Sequence, residues 1–244
     1  VTSCFRRLWT LYSRNRRVDA GSMSPIRHFS GALLLFAATP ATAQVEHDLS
    51  GWLNVTATGP VSGKLIYFAE IQPRVSRNAD GLDQLLLRPA IGVQATPNLQ
   101  LYLGYAHVEE PAAGENEERL FQQATLFVRD IPGELQSRTR LEQRYIDSAA
   151  RPAWRLRERI QLDIPLEKQR KWFLLTSAEF FFELHKPSAV QDSELVTTRQ
   201  LIGLRHVLTP RLGVQLSYMR QHSFPDDRPD EVVHVPWLAI AWRL

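Results

Sequence analysis

Apolar side chains recur at every second position along most of this chain, and no other feature of it excludes so many folds. Leu99, Leu101, Leu103 and Tyr105 alternate with Gln100, Tyr102 and Gly104. Leu156, Ile160, Leu162 and Ile164 alternate with Arg155, Arg157, Arg159, Gln161 and Asp163. A period of two belongs to β-strands with one apolar and one polar face, not to helices. Eleven segments carry it, at 49–58, 64–76, 84–96, 99–109, 118–130, 135–146, 153–165, 171–185, 197–208, 211–221 and 232–244. Most exceed the roughly 5–6 residues of an ordinary globular strand. They match the roughly 9–11 residues that a tilted strand needs to cross a bilayer.

The connections alternate too. Thr96-Pro97-Asn98, Ile131-Pro132-Gly133, 167–170 and Thr209-Pro210 are short; His107 to Glu118, Lys186 to Val196 and Phe224 to Glu231 are longer and polar. By strand parity the three longer loops share one side, taken as extracellular. Short turns on one rim and long loops on the other are the outer-membrane barrel pattern. Trp52, Tyr105, Tyr145, Trp154, Trp172, Tyr218 and Trp242 lie near strand ends, where interfacial girdles sit. A soluble sandwich would show the same alternation with its apolar face turned inward. The expected architecture is all-β: a single antiparallel transmembrane (outer-membrane) β-barrel over residues 44–244. Single-chain bacterial barrels usually have an even strand number, so twelve strands are expected, with one more near 44–50, or ten if 49–58 stays out of the wall.

The segment before the barrel reads as a leader. From Met23, Arg27 and His28 form a short positive region, Phe29 to Phe36 an apolar one, and Ala41-Thr42-Ala43 a small-residue cleavage pattern. This is a secretory signal peptide over 23–43, cut between Ala43 and Gln44. Residues 1–22 are Arg-rich without a period and are expected to be upstream translation or an over-long n-region. Of the 244 residues, 29 are Lys or Arg and 26 Asp or Glu; six of the basic residues and one acid fall within 1–43, which leaves 23 against 25. The basic excess therefore belongs to the leader, and nucleic acid is not an expected partner. The single cysteine, Cys4, lies there as well, so the remaining chain suits an oxidising envelope compartment.

Several short sequences, in order, resemble a family of outer-membrane β-barrel proteins catalogued as domain of unknown function 2490. They are Trp52-Leu53-Asn54, Glu70-Ile71-Gln72-Pro73-Arg74, Arg88-Pro89-Ala90-Ile91-Gly92, Pro97-Asn98, Gly104-Tyr105-Ala106, Glu118-Arg119-Leu120-Phe121-Gln122-Gln123, Arg138 to Arg144 and Arg155-Leu156-Arg157. The resemblance covers nearly all of 46–244. It implies a barrel and an outer-membrane location, and it supplies no activity and no catalytic residues. Leu244 departs from the aromatic common at barrel C-termini, with Trp242 two residues before it.

The richest chemistry is a basic ladder. Arg138, Arg140 and Arg144 share one face of a strand, and Arg155, Arg157 and Arg159 one face of the next. Glu70, Arg74, Arg88, Glu142, Asp163, Glu179 and Glu183 fall on the same lumen-facing side. Like charges opposite one another repel, so counter-ions are needed. Three readings stay open: an Arg–carboxylate network filling a narrow barrel, an anion-attracting pore wall, and a buried polar catalytic site. His222-Ser223 and the His206, Ser217 pair are the candidates for a Ser–His hydrolase; strand neighbours point to opposite faces, and no G-x-S-x-G occurs. The six histidines after the leader show no ligand spacing, and the acidic run at 109–118 reads as a solvated loop or a surface site for Ca²⁺ or Mg²⁺ bridging lipopolysaccharide. The expected function is a structural outer-membrane barrel or a porin-like, anion-favouring small-solute pore with an Arg/Glu-lined lumen, not an enzyme and without a cofactor. Its expected partners are the lipid bilayer, lipopolysaccharide and the insertion machinery. The alternatives are an outer-membrane lipid-modifying hydrolase and a soluble periplasmic ligand-binding β-protein.

Overall fold

The computed structural model describes residues 45–77, 81–128, 132–185, 194–226 and 229–244. The expected leader, with its expected cut between Ala43 and Gln44, lies outside these residues. The described chain is an up-and-down meander of β1 (Val45–Ser62), β2 (Leu65–Ser76), β3 (Gly81–Thr96), β4 (Leu99–Glu110), β5 (Glu115–Val128), β6 (Glu134–Ile146), β7 (Ala153–Pro165), β8 (Trp172–His185), β9 (Glu194–Thr209), β10 (Leu212–Ser223) and β11 (Asp230–Arg243). Each strand pairs antiparallel with the next, and β1 meets β11 to close the barrel.

Among the described residues the count is eleven, not the expected twelve or ten. Residues 45–50 extend β1 instead of forming a further strand, and β1 is part of the wall. An even number is required only if every neighbouring pair is antiparallel. Here β1 and β11 run parallel, with Val45 beside Asp230, Trp52 beside Trp237 and Thr58 beside Arg243. The seam continues past the strand end, where the Leu244 amide donates to the Thr58 carbonyl at 2.8 Å. The two described ends of the chain therefore leave from opposite rims. Residue 45 lies on the rim of the longer loops, and residue 244 on the rim of the short turns.

Several strands begin earlier than the alternation indicates. β5 starts at Glu115, β9 at Glu194 and β11 at Asp230. A ladder needs only backbone donors and acceptors, so pairing continues where side chains on both faces have become polar and the period is lost. The loop between β4 and β5 shrinks to a turn at Gly114, whose φ of 65° suits glycine and whose amide donates to the Glu110 carbonyl at 2.9 Å.

The faces are inverted relative to a soluble protein. Leu103, Ile202, Leu204 and Leu216 are exposed on the outside, whereas Arg140, Glu142, Arg157 and Glu179 are buried within. Tyr145, Trp172, Tyr218 and Trp242 are exposed on the outer surface. Trp52 departs from the expected girdle. It shares the inward face of β1 with Ser50 and Asn54 and is buried, so strand parity, not nearness to a strand end, decides its side. It tilts against Trp237 across the seam, with centroids 5.5 Å apart.

Inside, a large side chain on one strand can face a glycine on the next. Gly104 pairs with Phe121, and a Cβ at Gly104 would collide with the Phe121 ring. Gly104→Leu should overpack the lumen and cost about 1–3 kcal/mol. The check is the urea midpoint of the folded barrel in detergent; an unchanged midpoint would contradict this packing.

Candidate functional site

The arginine ladder forms as the sequence indicates, and with a register that makes it costly. Arg138 lies opposite Arg159 and Arg140 opposite Arg157. Two carboxylates resolve the repulsion. Glu142 accepts from Arg155 Nη2 at 2.7 Å and Arg157 Nη1 at 2.9 Å. Glu179 of β8 accepts from Arg157 Nη2 at 2.7 Å and from Arg138, with Arg199 at 3.8 Å. Arg157 thus spans both acids. Glu142 is 1% exposed and Arg140 2%. Out of water, guanidinium forks on carboxylates are strong, and a lone charge there is expensive.

The remaining predicted residues surround this centre. Glu70 pairs with Arg88 and accepts from Asn54 Nδ2 at 2.5 Å. Arg144 bridges Glu183 at 2.7 Å and Glu117 at 2.5 Å. Arg74 has amide partners, with its Nε on Gln72 Oε1 at 3.0 Å, and its guanidinium lies 3.7 Å from the Trp52 ring centroid. Arg159 donates to Gln136 Oε1 at 2.7 Å. All thirteen lumen candidates named from the sequence, Asp163 included, therefore face inward. Sequence reasoning missed Glu117, Arg119, Arg199 and Arg205 as members. Glu117 falls in the loop that the alternation indicates at 107–118, but β5 already includes it, and it accepts from Arg119 Nη2 at 2.6 Å. Arg199 and Arg205 lie on the inward parity of β9 with Leu201, a signal that the alternation itself carried. Arg205 pairs with Asp163 at 2.9 Å.

Eleven strands enclose more space than the roughly eight whose side chains just fill a barrel, and less than the 16–18 of an open porin. Side chains decide what remains. Every strand contributes at least one buried inward side chain, including Trp52, Leu86, Phe121, Glu142, Met219 and Val235. A water-filled bore would leave exposed side chains at this level on every strand. The lumen is instead crossed by a septum, apolar on the β8–β11 side, where Leu175, Leu201, Met219, Val233 and Val235 cluster with Trp52, and ionic on the β5–β8 side. Toward the short-turn rim lies a cavity of about 910 Å³. Among the described residues lining it are nine arginines and three glutamates. Its inner end reaches Arg88, Arg140 and Arg157; nearer the mouth it is walled by Ile66, Phe68, Tyr102 and Phe127.

The Ser–His candidates are separated. His206 is on the outward parity of β9 and lies tilted against Trp172 with ring centroids 4.1 Å apart, whereas Ser217 is buried on the inward face of β10. His222 bonds Asp230 at 3.0 Å, and the adjacent Ser223 lies 3.5 Å from Thr197 Oγ1. The acidic run at 109–118 is likewise divided: Glu117 turns inward to its arginines, while Glu118 takes the Tyr105 hydroxyl and His107 Nδ1.

A family model described as "Protein of unknown function (DUF2490)" matches residues 49–232. An uncharacterized protein of Methylorubrum extorquens (strain AM1) is 33% identical over 213 residues, covering 84% of this chain and 92% of that protein.

Removing the shared counter-ion should unbalance the septum. Glu142→Gln leaves Arg155 without its acid and Arg157 with Glu179 alone, and should cost about 3–5 kcal/mol. Glu134→Gln, in the exposed pair with Arg170 at 2.8 Å, should cost about 0–1 kcal/mol. Denaturant midpoints of the two variants check this; equal shifts would contradict the network.

Proposed function

The chain belongs to the DUF2490 family, and from that premise we propose that it is an outer-membrane β-barrel that holds a small anionic solute in a lumen closed at one end. The function is binding, not catalysis and not conduction. The observation that carries the reading is the inverted burial: apolar side chains exposed around a closed barrel, with ionic side chains buried inside it. Exposed Leu and Ile on that scale suit lipid, in which every backbone group must be paired within the wall. A barrel leaves no edge unpaired. The outward aromatics and the signal-peptide pattern at 23–43 support the same location, with lipopolysaccharide and the insertion machinery as partners.

In such barrels short turns face the periplasm, so the cavity opens inward to the cell. A conducting pore needs a continuous water path. The septum argues against one, and the arginine excess lining the cavity favours retention of an anion.

Two measurements test this. The protein should run faster unboiled than boiled on a detergent gel of the outer-membrane fraction. In planar bilayers it should give no steady single-channel steps. Recovery from the soluble periplasmic fraction without a gel shift would overturn the membrane reading, and steady anion-selective conductance would overturn the closed lumen.

A further inference from the structure

The arginines that line the inner part of the cavity are only partly used by the protein's own acceptors. Arg140 donates Nε and Nη2 to Gln123 Oε1 at 2.8 and 2.6 Å. Its Nη1 makes no hydrogen bond, and the Glu142 oxygen beside it is 3.6 Å away. Arg88 Nε, Arg138 Nε and Arg159 Nε are buried without acceptors as well. All four side chains line the cavity, and Glu70 is within electrostatic reach of Arg88, Arg138 and Arg140. A buried donor without an acceptor is costly; each of these four arginines keeps an acceptor at another nitrogen and one N–H without, so the inner part of the cavity wall carries more donor capacity than the protein's own acceptors use.

The geometry narrows which ligand suits that capacity. These arginines come from β3 and from the neighbouring β6 and β7, so they converge on the cavity from different parts of the wall. A head with three acceptor oxygens meets such a set; a planar carboxylate, with its acceptors in one plane, does not. Mouthward, the charged floor gives way to an apolar and aromatic wall in which Phe68 and Tyr102 stand edge to face, centroids 6.4 Å apart. A cavity of about 910 Å³ is of ligand size. Lys64, Arg170, Arg211 and Arg243 surround the short-turn rim, whereas Glu109, Glu110, Glu115, Asp147 and Asp230 populate the other. An anion is thus drawn to the open end.

We propose that the four-arginine floor formed by Arg88, Arg138, Arg140 and Arg159 binds the head of a phosphate monoester whose apolar body lies against Phe68 and Tyr102. The site rests on the binding function proposed above and assigns its ligand class.

The test uses the folded, unboiled barrel in maltoside and isothermal titration calorimetry. 1-Naphthyl phosphate should bind at one site at least about tenfold more tightly than 1-naphthol or inorganic phosphate. Gln123→Glu supplies Arg140 with an internal acid at nearly constant volume, and Arg159→Gln removes one donor; each should weaken binding about tenfold, the effect of losing one charge-assisted contact. The gel shift of both variants confirms that they fold. Lauroyl lysophosphatidic acid displacing the naphthyl ester assigns the site to a lipid phosphate, and failure to displace it assigns a soluble one; either result upholds a phosphate site. Equal affinity for 1-naphthyl phosphate and 1-naphthol, or an unchanged affinity in folded Gln123→Glu, overturns it. A barrel that conducts yet binds the ester keeps this site and loses the closed lumen; one that neither conducts nor binds does the reverse.

Discussion

Closure governs everything else in this barrel, because a sheet with a charged inner face and an apolar outer face has nowhere to leave an open edge. The meander reaches its eleventh strand pointing the same way as its first, and the only way to pair those two strands is parallel. The seam is correspondingly well supported. Twelve register pairs join it, Trp52 and Trp237 lean on one another from inside it, and His47 and His234 stack across its outer surface at 5.5 Å. Strand number then sets the bore, and the bore sets how many long side chains are needed to cross it.

Those side chains are arginines, and their abundance makes the interior a problem in charge before it is one in packing. Direct Arg–Arg pairs between β6 and β7 would push the wall apart if Glu142 and Glu179 did not reach in from the two sides. The aromatic rings share the load: the Arg140 and Arg157 guanidiniums lie 4.6 Å over Phe121 and 4.4 Å over Phe181, where a ring face attracts a cation. The balance is nonetheless asymmetric. Acids are concentrated at and beyond the septum, whereas the cavity side keeps the surplus of base. A purely structural filling would have no reason to be left unbalanced on one side only.

Much of this was legible in the sequence. Alternation fixed the strands to within a few residues, and the inward parity of Arg138, Arg140, Arg155 and Arg157 put the ladder on one face. What could not be read has identifiable causes. Even strand number is a regularity of all-antiparallel closure, and nothing in the side-chain pattern of β1 announces a parallel neighbour 187 residues away at His234. Glu117 looked like loop because charges on both faces erase the period that marks a strand. Trp52 looked interfacial because aromatics near strand ends often are, although its even number already aligned it with Asn54. The septum depends on which long side chains meet across the bore, a matter of register between strands and not of order along any of them.

The parallel seam also has a kinetic meaning. Every other pairing joins strands that are neighbours in sequence, so ten hairpins can zip locally, whereas the seam must bring together segments from the two ends of the described chain. Loop closure over such a span is entropically slow to find. Until it is found, the sheet has two open edges and a charged face exposed to whatever surrounds it. The last bond to form is therefore the one that shuts the arginines away from the solvent. A nascent barrel with its seam still open would be an unusually cationic and adhesive object, one that gains from being held until its first and last strands meet.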